Sequence, residues 1–268
     1  YGHNPRRQMI SNEIIDKFDF ERLPAVYAKL YPGANGFVFT FVGNIDPETL
    51  KPLAEKYIGS IPSTKKPLNY VDDKAEPVKG EVAEEFTAPM QQPKVSVNYT
   101  FTGDMDYSLE NKAALSFLTQ ALNSRYLVSI REEKGGTYGV QVYGSTDWIP
   151  RETYTMTIAF DTNAEMADEL CEIILKELRT IAEEGPLTED IEKHREFMLK
   201  NWKNSLDENG PWMQYLQAKY GSGLDYLAGQ EQAIRSLTNA DVQALAKKIL
   251  DDGNMVKVVM RPEANEDK

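Results

Sequence analysis

The sequence predicts an α+β fold: an antiparallel or mixed sheet with helices packed on one face. Three observations carry this. Residues 94–102 alternate Val95, Val97, Tyr99 and Phe101 with Ser96, Asn98, Thr100 and Thr102, the period of a strand with one buried and one polar face. Helical patterns bunch together between residues 163 and 250 instead of alternating singly with strands. From residue 80 onward the order reads β-β-α-β-β-α-α-α-α-β, so short strand pairs, not crossover units, build the sheet.

In chain order, residues 19–31 read as a helix, with Leu23, Val26, Tyr27 and Leu30 at helical spacing and a stop at Pro32-Gly33. The aromatic and β-branched run of residues 36–43 reads as a strand, and Asp46-Pro47 opens a helix that ends at Gly59. One strand cannot form a sheet. Residues 1–60 therefore look like the end of a domain of the same kind, and residues 60–77, with Pro62, Pro67, Asp72, Asp73 and Pro77, read as the linker. The boundaries that follow are 1–78 for the end of a preceding domain with its linker and 79–268 for a complete second domain. In the second, strands are expected at 80–86, 94–102, 137–144, 152–161 and 255–260, and helices at 108–132, 163–184, 188–207, 211–233 with a break near Gly221-Ser222-Gly223, and 238–250.

Composition narrows the function. The 268 residues carry 30 Lys and Arg against 42 Asp and Glu, a net charge of −12 with no basic cluster, so nucleic acid and anionic membrane surfaces are poor partners. No apolar run reaches the length of a membrane span, and no membrane insertion is expected. The chain opens on Tyr1 rather than on an initiator Met and has no signal-like apolar segment there, so more protein is expected upstream.

A single cysteine, Cys171, and two histidines, His3 and His194, leave little for metal or nucleophilic chemistry. Neither H-E-x-x-H nor H-x-x-E-H occurs, and no bound metal is expected in this chain. His194 reads as a solvent-facing or salt-bridged helical histidine, and Cys171 as a buried structural thiol. Nucleophile-elbow and phosphate-loop motifs are missing too.

One segment stands out: Ser129-Ile-Arg131-Glu-Glu-Lys-Gly135-Gly136-Thr-Tyr138-Gly-Val140, a charged helix end, a Gly-Gly turn and a strand start. Gly135 can close the helix in the left-handed conformation and Gly136 can reverse the chain. Arg131 and Tyr138, a five-donor cation and a phenol, could then share one space and stabilise a carbonyl oxygen that gains charge. The competing reading pairs Arg131 with nearby acids and buries Tyr138, which shares strand parity with Val140 and Val142.

That segment resembles one in the C-terminal, non-metal half of the pitrilysin and insulysin-type zinc metallopeptidases, the inverzincins. Phe39-Thr-Phe-Val-Gly-Asn-Ile-Asp46, Glu183-Glu-Gly-Pro-Leu-Thr-Glu-Asp190 and Ser236-Leu-Thr-Asn-Ala-Asp-Val242 are similar to further stretches of that family. The resemblance implies a zinc endopeptidase of peptides or unfolded segments, in which zinc and general base lie in an N-terminal half of the same protein. Arg131 and Tyr138 would orient substrate and stabilise the transition state. It implies that residues 79–268 form the last of four domains, that this chain alone is inactive and binds no zinc, and that the cell envelope or periplasm is the favoured location. Two alternatives stay open: a non-catalytic structural or interaction module of the same fold, and a heteromeric peptidase with zinc on another subunit.

Overall fold

The computed structural model describes residues 4–63, 71–72, 74–135, 137 and 139–263. These divide into two compact units, residues 1–76 with 205–225 and residues 77–204 with 226–268.

In the first unit, α1 (Asn12–Asp16) is capped by Ser11, α2 spans Leu23–Leu30, and α3 (Pro47–Tyr57) begins on Asp46, whose carboxylate accepts from the Glu48 amide at 3.2 Å. Asp46 acts as the Asp-Pro start predicts, and the Thr49 hydroxyl holds its carboxyl below the usual range. The run of residues 37–42 forms no ladder among the described residues, and Phe37, Phe39 and Phe41 are each more than 40% exposed. Strand propensity alone does not make a strand: the run has the composition for one but no neighbouring strand to bond. Most of the proline-containing stretch expected as a linker, residues 64–70 and 73, lies outside the described residues. The segment 205–225 carries most of a further helix, Asn209–Gly221, held at its start by Trp212 Nε1 donating to the Leu206 carbonyl at 2.7 Å.

The second unit is built on a mixed sheet of order β1-β5-β2-β4-β3. Its strands are β1 (Glu81–Ala88), β2 (Val95–Asp104), β3 (Val140–Asp147), β4 (Thr153–Thr162) and β5 (Met255–Pro262). Only β1 and β5 run parallel; the last strand inserts between β1 and β2. Register sets the faces. Val97 lies opposite Phe160, Tyr99 opposite Ile158 and Phe101 opposite Met156, all buried, while Ser96, Asn98 and Thr100 face the other way.

Helices α4 (Leu109–Tyr126), α5 (Ala167–Glu184) and α9 (Asn239–Asp252) cover the apolar face. With α6 (Thr188–Ser205), α7 (Asn209–Gly221) and α8 (Tyr226–Ser236) they complete the helical set. The core runs from Val95, Tyr99 and Ile158 through Phe117, Leu118 and Leu122 to Leu170, Ile174 and Ile249. Thr238 and Asp241 close a reciprocal capping box at the start of α9, and Gly253 ends it at φ +63. Arg195 donates to the carbonyls of Ile234 and, at 2.8 Å, Leu237, tying α6 to the end of α8. No described helix is long and apolar enough to cross a membrane.

Candidate active site

Arg131 sits where α4 changes character. The α-helical hydrogen bonding of Leu109–Tyr126 gives way to a wider π turn over Leu127–Glu132, in which the Glu133 amide donates to the Val128 carbonyl five residues back. The turn is anchored on one side and open on the other. Ile130 is fully buried, whereas Arg131 is exposed and makes no ion pair or side-chain hydrogen bond among the described residues. Its neighbour Lys134 does pair, with Glu169 at 2.6 Å, and that hydrogen bond raises the ammonium's pKa.

The platform beneath is rigid. Tyr126 is buried and donates to the Ile174 carbonyl at 2.8 Å, and burial pushes its phenol well above the usual range. Arg125 meets Glu177 at 2.6 Å with both side chains largely covered. These contacts lock the last turn of α4 against α5, so Arg131 projects from a fixed base.

Gly135 closes the turn at φ +63, its amide donating to the Arg131 carbonyl at 3.1 Å, as its position after the charged helix end predicts. Thr137 and Gly139 then bond to each other, the Gly139 amide donating to Thr137 Oγ1 at 3.2 Å, and β3 begins at Val140. Gly136 and Tyr138 lie outside the described residues, and so does His3. The entry of β3 is fixed from α4: Asn123 Oδ1 accepts from the Val142 amide at 2.9 Å and its Nδ2 donates to the Val142 carbonyl at 3.0 Å.

His194 departs from its expected place. It is half-buried rather than solvent-facing or salt-bridged, at 3.2 Å from Ser116 Oγ, edge-on to Phe117 and stacked on Phe197. Burial lowers its pKa, so the ring is neutral at pH 7. Ser116 lies on another helix, 78 residues away in sequence, which no local pattern announces. Cys171 is buried as expected.

The donor set does not suit a zinc ion: among the described residues no three His, Cys, Asp or Glu side chains converge, and His194 is surrounded by a hydroxyl and aromatic rings. What the geometry does offer is an unpaired guanidinium on a braced turn, beside the start of a strand, suited to binding a carbonyl or an anionic oxygen.

Comparison with known proteins agrees with this picture. Residues 17–198 match the family described as "Peptidase M16 inactive domain". The chain is 27% identical over 203 residues to the Arabidopsis thaliana "Zinc protease PQQL-like", covering 69% of this chain and 21% of that one. It is 22% identical over 258 residues to the Haemophilus influenzae "Probable zinc protease PqqL", covering 90% of this chain and 26% of that one. The chain thus spans about a quarter or less of the length of these relatives. Among solved structures, the periplasmic protease PqqL of Escherichia coli shares the fold at a TM-score of 0.69 and 20% identity, over 82% of this chain and 25% of that one.

Proposed function

Because the chain belongs to the M16 peptidase family, as its inactive domain, we propose that it is the substrate-orienting half of a zinc endopeptidase acting on peptides or unfolded segments. Its relatives are named zinc proteases, and residues suited to hold zinc do not converge here, so metal and general base are assigned to an N-terminal half of the same protein. On this reading residues 1–78 end one domain and residues 79–268 form the next. The periplasmic name of the Escherichia coli relative favours the cell envelope.

The observation that carries the proposal is Arg131. An exposed arginine whose five donors are unclaimed, on a turn whose other side is anchored by buried Ile130, is available to a substrate rather than to the fold. The guanidinium would hold the scissile peptide's carbonyl, and the Tyr138 phenol would add a second donor as that oxygen gains charge. Neither residue takes a proton from water; their task is orientation and charge stabilisation. The competing pairing of Arg131 with nearby acids finds no support among the described residues, where the nearby Glu169 is taken by Lys134.

The test is turnover of a quenched fluorescent peptide by the full-length protein. Arg131→Ala and Tyr138→Phe are each expected to lower kcat about 10²- to 10³-fold, the typical loss for one such donor. Zinc content and circular dichroism should be unchanged. Parental turnover in both variants would overturn the assignment and leave the alternative, a non-catalytic interaction module of the same fold.

A further inference from the structure

The sheet's outer strand β3 is closed along one half and open along the other. Because Asn123 takes both the amide and the carbonyl of Val142, those groups face away from β4. The ladder to β4 is continuous from Val140 to Asp147, so the two-residue repeat turns the backbone groups of Gly144 and Thr146 outward as well. No protein group meets them among the described residues. A cleft of about 470 Å³ lies alongside, walled by α4, α6 and α8.

Two oxygens in this cleft, Thr146 Oγ1 and Gln230 Oε1, are buried and have no hydrogen-bond partner in the protein. Buried oxygens left unpaired are costly, and two in one cleft mark a place that a ligand or ordered solvent completes. The charge there is also unlike the rest of the chain: the lining holds Lys112 and no carboxylate, although the net charge is −12.

We propose that this cleft receives an extended polypeptide segment, neutral or acidic, that pairs with β3 at Gly144 and Thr146. The outward groups of two such residues repeat at about 6.7 Å, a spacing that an extended chain reproduces and a small solute does not. Gln230 Oε1 then accepts from a donor on the incoming segment, and the Thr146 hydroxyl donates or accepts as the segment requires. Asn123 sets the limit of pairing, since Val142 has nothing left to offer. The site is independent of Arg131 and Tyr138, so failure of their catalytic role would leave it standing, and its own failure would leave theirs.

The experiment uses the 268-residue chain and fluorescein-labelled, dephosphorylated β-casein, an unfolded acidic polypeptide. Binding is read by fluorescence anisotropy, and site by amide hydrogen exchange. The expected result is binding that slows exchange at least fivefold at Gly144 and Thr146 and leaves Val142 unchanged. Thr146→Pro, which removes an outward amide without touching the ladder to β4, should weaken binding at least tenfold. Thr146→Val and Gln230→Leu, which keep the backbone intact and serve if the proline variant does not fold, should each weaken it at least threefold. Absence of casein binding, binding without protection at Gly144 and Thr146, or parental affinity in the folded variants would each overturn the proposal.

Discussion

Replacing Asn123 by Ala removes the two hydrogen bonds, 2.9 and 3.0 Å, that tie α4 to the outer strand. Each is worth about 1 kcal/mol net, and Val142 is only 7% exposed, so water replaces them poorly; the loss comes to about 2 kcal/mol. Ala is the better helix former by about 0.6 kcal/mol, which leaves about 1.5 kcal/mol of net destabilisation. Asn123→Asp separates the two bonds, since a carboxylate can still accept from the Val142 amide but cannot donate to its carbonyl. It should fall between parent and Asn123→Ala in amide protection at Val142. The assay is urea unfolding of the 268-residue chain followed by far-UV circular dichroism, with hydrogen exchange at Val142 recorded on the same samples. An unchanged midpoint for Asn123→Ala, with the Val142 amide still protected, would refute the claim that this side chain closes the strand.

Two further outcomes follow from burial. Leu118→Ala, at a fully buried core position, should cost about 3 kcal/mol, read as a fall in the urea midpoint at constant slope; a cost under about 1 kcal/mol would mean that the site collapses around the gap. His194 has its folded pKa depressed by burial below 6.5. In the window between its folded pKa and 6.5 the unfolded chain therefore binds more protons than the folded one, and stability is lost as pH falls through that window. The stability of the parent relative to His194→Gln should decline below about pH 6.5 and be flat above it, measured as urea midpoints from about pH 5 to 8; a pH-independent difference would remove the imidazole from the account.

Much of the fold was legible locally. Thr238 and Asp241 announce the start of α9, Asp46-Pro47 that of α3, and the alternation of residues 95–102 gives both strand and buried face. Long-range pairing was not legible. Nothing in residues 255–262 says that they slip between β1 and β2, because the choice is made by partners more than 150 residues away. The run at residues 37–42 shows the opposite failure, strong local preference with no partner to realise it. At the candidate site, Gly135 could be read directly, since only a left-handed residue closes that turn well. The contact of Ser116 with His194, and the unpaired oxygens of Thr146 and Gln230, arise from helices brought against a strand and leave no trace in either segment alone.

The π turn at Leu127–Glu132 makes chain length, rather than residue identity, the quantity that aims Arg131. A π turn accommodates one residue more than an α-helical turn, and each residue of an α-helix advances the facing direction by about 100°. Substitutions at exposed Val128 should therefore be absorbed with the guanidinium still pointing outward. Deleting Ser129 alone would let α4 continue as an ordinary helix, swing Arg131 by roughly a quarter turn and draw a different side chain into the place of Ile130. Insertions and deletions are thus far more disruptive here than substitutions, and relatives that keep the arginine in register must also keep the extra residue.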